Sequence, residues 1–206
     1  MSLPFDRSDI SARLQAWLAR APARNGDDDI WRLRSGRAEL TPAAVLVPIV
    51  RREPNLTVLF TERTSHLTDH AGQISFPGGR AEPQDISMEA TALRETEEEI
   101  GLDRDYIEVL GRLPEYITGT GFRVTPIVAW IEPGFSLAPD PFEVAEVFEV
   151  PLMFLLDPAN HQRKSVVWEG RERQYHAMPY QSRYIWGATA GMLLSLYHAL
   201  GEAEKV

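Results

Sequence analysis

The chain of 206 residues contains no cysteine. That absence excludes a disulfide framework and cysteine nucleophiles, and it agrees with a reducing compartment, so a cytoplasmic location is the expectation. Long apolar runs are also missing. The longest, such as Ala43 to Val50, are too short to cross a bilayer, and no membrane partner is expected. The first residues, Met1 to Arg7, have no basic segment leading into an apolar stretch, which argues against a secretory signal. Positive charge is scarce: 21 Lys and Arg stand against 30 Asp and Glu, a net charge of −9. Duplex nucleic acid is therefore a poor partner, because neutralising phosphates needs clustered cations. The five histidines, His66, His70, His161, His176 and His198, show no zinc-site spacing. Internal repeats and low-complexity linkers are absent too, and one domain over residues 1–206 is expected, with 1–40 a helix and connection and 43–200 the core.

What is present reads as strands interleaved with helices. Ile10, Leu14, Trp17 and Leu18 make a helical stripe between Ser8 and Ala21, and Arg24 to Leu40 reads as an exposed connection. Ala43 to Val50 reads as a buried strand despite Pro48, with Thr57 to Thr61 its hairpin partner. Tyr106 to Leu113 and Val124 to Ile131 are strand-like, joined by a mobile Thr118-Gly119-Thr120-Gly121 loop. Val144 to Pro151 is a short strand, and Leu152 to Leu156 a helical turn. Ser165 to Glu169 and Gln174 to Met178 pair through a turn at Glu169-Gly170, and Trp186 to Leu200 closes the chain as a helix. The expected fold is α/β, an α/β/α sandwich around a mixed sheet.

The segment carrying chemistry runs from Gly78 to Leu102, where a glycine turn leads into a helix predicted over Ser87 to Ile100. At roughly 100° per residue, Glu95, Glu98 and Glu99 share one side, opposite Glu89, Leu93, Thr96 and Ile100. Three such carboxylates repel one another, and a hard divalent cation with oxygen ligands, Mg2+ or Mn2+, would relieve them. Arg94, four residues before Glu98, supplies further compensation, and Gly101 suits the position just past a helix end. A solvated acidic face is the competing account.

The ordered set of glycine turn, Arg94-Glu95, Glu98-Glu99 and Gly101 resembles the box of the Nudix hydrolases. Its second half matches from Arg94 to Gly101; its first half departs, since fourteen residues separate Gly79 from Arg94 and Ile86 stands where the box has Glu, with Asp85 the nearest acid. Thr96 replaces the usual aliphatic residue. The longer loop with Pro-x-Asp is similar to that of the coenzyme A pyrophosphatases, as are Leu59 to Gly79, with Arg63, Leu67-x-x-His70 and Phe76-Pro77-Gly78-Gly79, and Trp186 to Ala190. The resemblance implies a Nudix fold and metal-dependent hydrolysis of the diphosphate of coenzyme A or acyl-CoA, giving 3′,5′-ADP and (acyl-)4′-phosphopantetheine.

The residues expected to act are Glu95, Glu98 and Glu99 on metal, with Arg94 supporting them. Arg63 suits substrate phosphate through its planar guanidinium, a salt bridge with Glu62 being the alternative. His70 falls in the resembling segment, and Gly78 and Gly79 give backbone freedom for close approach, or only a tight turn. The general base is a helix glutamate or Glu143, which otherwise reads as a surface acid. Trp168, Tyr175, Tyr180 and Tyr184 are either adenine stackers or core. The expected partner is a small nucleotide of the coenzyme A class, with a homodimer left open. ADP-ribose, dinucleoside polyphosphates or modified nucleoside triphosphates are alternative substrates, and a non-catalytic nucleotide-binding module is the alternative from another class.

Overall fold

A computed structural model describes residues 5–26, 39–65, 72–168 and 171–201. Among them the elements run α1 (Arg7–Leu18), β1 (Arg24–Gly26), β2 (Thr41–Arg51), β3 (Leu56–Arg63), β4 (Ile74–Ser75), β5 (Gly78–Arg80) and α2 (Met88–Ile100). There follow β6 (Ile107–Arg112), β7 (Glu115–Ile117), β8 (Phe122–Ile131), β9 (Val144–Pro151), α3 (Leu152–Leu155), β10 (Gln162–Trp168), β11 (Arg171–Tyr180), β12 (Arg183–Trp186) and α4 (Gly187–Gly201).

The described strands form a mixed sheet along β1-β7-β8-β2-β3-β4, with β5 on β2, β6 on β8 and β9 on β3, and a small sheet β10-β11-β12. Strand β2 is central, parallel to β8 and antiparallel to β3 and β5. The period-2 alternation of a strand divides its side chains between two cores. Ala43, Val47 and Ile49 pack with Ile10 and Leu14 of α1 and with Met192, Leu193 and Leu196 of α4. Ala44, Leu46 and Val50 pack with Ala92 and Ile100 of α2. Two helical layers on opposite faces of one mixed sheet make the expected α/β/α sandwich.

Pro48 sits inside this central strand for a local reason. On its antiparallel side β2 pairs with β5 at Ala43 to Val45 and with β3 at Ile49 to Arg51, so Pro48 lies between the two ladders, where its missing N–H breaks no pairing. The N-terminal region is less separate than its sequence indicates. Helix α1 starts one residue earlier than expected because Asp6, not Ser8, caps it, accepting the Asp9 amide. Its Arg13 donates to the Leu200 carbonyl at 2.8 Å and its Ser11 to the Leu110 carbonyl at 3.0 Å. Part of the expected connection is strand: Arg24–Gly26 pairs parallel with β7. Thr118 to Gly121 close a hydrogen-bonded β7-β8 hairpin, with the Thr118 amide donating to Phe122 and the Gly121 amide to Thr118. β12 was not anticipated, and Trp186 ends it instead of opening α4. The expected turn at Glu169-Gly170 lies outside the described residues. Among the described residues no helix is long and apolar enough to cross a membrane.

The joint between α4 and the sheet sets a steric limit. A Cβ on Gly191 would stand 2.4 Å from the Tyr116 ring. Gly191→Ala gains about 1 kcal/mol of helix propensity but forces overpacking that costs about 1–3 kcal/mol, so net destabilisation is expected. A urea midpoint that rose in Gly191→Ala would contradict this packing.

Candidate active site

Helix α2 is the element that carries the acids, and its ends are well defined. Ser87 caps the N-terminus by accepting the Ala90 amide at 3.1 Å, and Gly101 ends the helix in the left-handed region at φ 66°. Thr96 is fully buried but satisfied, donating its hydroxyl to the Ala92 carbonyl one turn back at 2.7 Å. A threonine is therefore tolerated where an aliphatic residue would simply pack.

The three glutamates do not behave as one face. Glu98 and Glu99 are consecutive, so about 100° of helix rotation separates them. Glu98 turns outward, its side chain 60% exposed, while Glu99 turns under the helix and is only 9% exposed. Glu95 lies between these extremes, its side chain mostly covered. Among the described residues no three His, Asp or Glu side chains converge as a closed cation cage.

Arg94 organises this helix face. Its Nη1 donates to Glu95 Oε1 at 3.0 Å and to Glu98 Oε2 at 2.9 Å. Its Nε and Nη2 donate to the two oxygens of Asp85, each at 3.0 Å, and Nη2 also reaches the Arg80 carbonyl at 3.1 Å. Asp85 additionally accepts from the Glu82 amide and the Thr91 hydroxyl. This bidentate pair, with the Asp85 side chain only 5% exposed, holds the Asp85 carboxyl well below the ordinary carboxylate range. The frame shift in the sequence motif is thereby explained. Ile86, at the expected acid position, is 95% exposed, and the acid one residue earlier meets the arginine. Sequence reasoning noted Asp85 without giving it a role; its position nine residues before Arg94 in the Pro-x-Asp loop is the available signal.

Glu99 occupies the floor of the site. The Gly78 amide donates to its Oε2 at 3.0 Å. Burial pushes its carboxyl up to about 8 against that hydrogen bond, with Glu143 and Glu95 raising it further and Arg63 pulling it down. Glu95 is raised by the same causes, burial first, with Arg94 opposing and Glu98 and Glu143 adding to the rise. Glu143, expected from a later loop, thus stands electrostatically beside both helix acids. The loop is docked there because the Asp140 amide donates to the Glu99 carbonyl at 2.9 Å and the Glu143 carbonyl accepts from Thr64 at 3.0 Å. Buried hard-oxygen groups held against their own repulsion suit Mg2+ or Mn2+.

Gly78 is sterically required, and a side chain at Gly79 would displace the Glu95 carboxylate. A Cβ on Gly78, whose φ is 150°, would lie 2.3 Å from the Ala44 carbonyl oxygen, and one on Gly79 would lie 2.5 Å from the Glu95 carboxylate. Arg63, at the end of β3, is not tied to Glu62, which pairs instead with Arg183 at 3.2 Å. The Arg63 Nε is buried without a hydrogen-bond partner among the described residues. Such an atom is costly unless a ligand meets it. His70 lies outside the described residues.

Arg63, Glu99, Gly78 and Gly79 all line one cleft of about 510 Å3, within the usual range for small-molecule sites. Its far wall is apolar and aromatic and includes Phe122, Val166, Tyr175 and Trp186. Of the aromatic residues expected as stackers, Tyr175 lines the cleft and Tyr184 meets it hydroxyl to hydroxyl at 3.3 Å, whereas Tyr180 packs edge-on against Phe154 in the core. Trp186, not among those four, packs edge-on to Tyr175. The small sheet bearing this wall is anchored by Arg183, which pairs with Glu62 and with Glu146 and lies 3.7 Å over the Phe148 ring.

A sandwich whose acid-rich helix opens on a cleft with glycine turns and a guanidinium whose buried Nε has no hydrogen-bond partner among the described residues has groups suited to phosphate. A family model described as NUDIX domain matches residues 40–168. The Nudix hydrolase NudL of Photorhabdus laumondii is 40% identical over 199 residues, covering 97% of this chain and 98% of its own. That of Yersinia enterocolitica is 42% identical over 154 residues, 75% of this chain and 78% of its own. Among solved structures, a MutT/nudix family protein from Enterococcus faecalis has a TM-score of 0.48 at 16% identity, covering 91% of this chain and 67% of that one. The NUDIX domain of Shewanella oneidensis NrtR, complexed with ADP ribose, has a TM-score of 0.45 at 20% identity, covering 69% and 85%. The chain belongs to the Nudix family.

The Asp85–Arg94 pair makes a testable link between stability and pH. Because Asp85 is depressed in the folded state, its contribution is present above the ordinary value of 3.8 and is lost as pH falls through the lower folded value. Asp85→Asn should therefore lower the thermal midpoint by a constant amount from neutral pH to about pH 5, the gap closing only in stronger acid. Turnover should fall with it, since Arg94 loses its anchor. A gap that widened on acidification would refute the assignment.

Proposed function

We propose that this chain hydrolyses the diphosphate of coenzyme A or acyl-CoA, releasing 3′,5′-ADP and 4′-phosphopantetheine or its acyl derivative. Family membership supports hydrolysis of a nucleoside diphosphate derivative; the coenzyme A class is the finer reading. The observation that carries it is a single cleft with charged groups suited to a diphosphate at one end and an apolar, aromatic wall along the rest. A diphosphate joining a nucleotide to a long, largely uncharged arm fits that division.

Glu95 and Glu99 would hold Mg2+ or Mn2+, with Glu98 joining them once its exposed side chain turns in from its Arg94 contact. When bound, such an ion neutralises phosphoryl oxygens and lowers the pKa of a coordinated water. The chain's own groups do the rest. Arg63 presents to the phosphates a buried Nε donor that has no partner among the described residues. Gly78 and Gly79 bring backbone against the acids, where any side chain would displace them. Arg94 fixes Glu95 and Glu98 relative to the Arg80 carbonyl. Glu143, beside Glu95 and Glu99 but on a separate loop, is the acid free to take a proton from the attacking water.

Three outcomes test the reading. In a panel with Mg2+ and with Mn2+, products identified by mass, coenzyme A should show a higher kcat/KM than ADP-ribose and nucleoside triphosphates; a tenfold preference for ADP-ribose would move the substrate class. Glu99→Gln should cut turnover by on the order of a hundredfold while the fold survives, and near-wild-type rates across metal concentrations would remove Glu99 from the site. Arg63→Lys keeps charge but loses the planar fork, so kcat/KM should drop with metal dependence and melting temperature nearly unchanged. If Arg63→Ala instead melted early with full activity per folded molecule, the residue would be structural.

A further inference from the structure

A second guanidinium on the cleft has no part in the reading above. Arg80 is the last residue of β5 and pairs with Ala43 of β2, itself a cleft residue. Its side chain crosses β2 towards β8, where its Cζ lies 5.2 Å from the centre of the Phe122 ring. Arg80 forms no ion pair among the described residues, although 30 acids outnumber 21 cations in the chain. Stacking engages the flat face of a guanidinium and leaves its N–H edge free, the edge that grips phosphate in a fork. Its backbone is fixed as well, because the Arg80 carbonyl accepts from Arg94 at 3.1 Å, which registers this residue against Glu95 and Glu98. The other cleft cations are differently placed: Arg63 sits beside Glu99 at the diphosphate end, and Arg173 is engaged by an interaction of its own.

The geometry points to Arg80 as a specificity-determining residue that binds a phosphate monoester lying beyond the scissile diphosphate. We infer that, on the coenzyme A reading, this group is the 3′-phosphate of the adenosine, with the Phe122 ring and the Thr118 and Thr120 residues of the adjoining hairpin turn completing its surroundings. Such a residue would make the enzyme discriminate between nucleotides that carry the extra phosphate and those that lack it, without contributing to bond cleavage itself.

The test compares coenzyme A with dephospho-coenzyme A in wild type, Arg80→Gln and Arg80→Lys, and in parallel measures calorimetric binding of adenosine 3′,5′-bisphosphate and AMP. Wild type should prefer coenzyme A by about tenfold or more in kcat/KM, the scale of a charge-assisted hydrogen bond. Arg80→Gln should bring the ratio near one, dephospho-coenzyme A falling far less than coenzyme A, and Arg80→Lys should lie between. Bisphosphate binding should weaken about tenfold in Arg80→Gln, with AMP changing little. An unchanged ratio, or an equal fall on both substrates with an earlier melt, would overturn the assignment while leaving the coenzyme A reading standing. Should wild type instead favour ADP-ribose, that reading fails, and the bisphosphate-to-AMP binding ratio still decides whether Arg80 recognises a phosphate monoester.

Discussion

Glu99 places a carboxylate under a helix, away from water, next to two others, and most of the architecture around it follows from that arrangement. Burying an isolated negative charge is expensive, and like charges nearby add to the penalty. Among the described residues no direct ion pair neutralises Glu99. The fold supplies one backbone donor from Gly78 and the more distant field of Arg63, which leaves the carboxyl raised to about 8. A buried carboxyl with so little compensation from protein groups has more to gain from a nearby cation than one already ion-paired. The glycine pair before the helix belongs to the same constraint. Only residues without Cβ let the β5 backbone come close enough for its amide to reach Glu99 and for Glu95 to lie against it.

Arg94 resolves the opposing demand, that a helix bearing Glu95, Glu97, Glu98 and Glu99 should still fold. One planar guanidinium meets Asp85 by two bonds on one edge and Glu95 and Glu98 on another. Lysine, with a single point charge, could not hold three carboxylates and a carbonyl in fixed directions. Glu97, exposed like Glu98, is treated differently: it pairs at the surface with Arg104, a contact of small energetic weight. The helix is thus stabilised away from Glu99 and left strained at it.

The sandwich was legible because its signals are local and periodic. The near-continuous apolar runs of β2 and β8 mark strands buried on both faces, and the Ser87 cap and Gly101 stop bound the acid helix within a residue of its expected limits. What was not legible depends on contacts between distant segments. Nothing local in Arg24-Asn25-Gly26 announces a parallel pairing with Glu115 to Ile117, and β12 is a four-residue strand defined only by its partner β11. The shared face expected for Glu95, Glu98 and Glu99 was too coarse, because neighbours in sequence diverge by a quarter turn, and burial then separates Glu98 from Glu99. Glu143 and Arg63 could be nominated from motif position, yet their meeting with Glu99 needed the fold. Asp85 escaped for the opposite reason: the motif directed attention to Ile86, and only the arginine's reach shows which acid it finds.

The division between legible chemistry and illegible specificity has a structural origin. The groups fit for phosphate chemistry come largely from one continuous stretch, β5 through α2, where a spacing pattern can be read along the chain. The recognition wall is assembled from the small sheet, the β7-β8 hairpin and the start of α4, segments 50 or more residues apart in some pairings and joined to the main sheet through side chains such as Arg183 and Thr189, which donates to the Ile74 carbonyl at 3.0 Å. Changing a residue of that wall alters the cleft without touching the acid helix, so the same catalytic stretch can serve different diphosphates. Arg80 stands at the boundary, its backbone locked to Arg94 and its side chain laid on Phe122 of the recognition side. A residue fixed at both ends in this way couples the position of the bond to be cut with the identity of the group that flanks it.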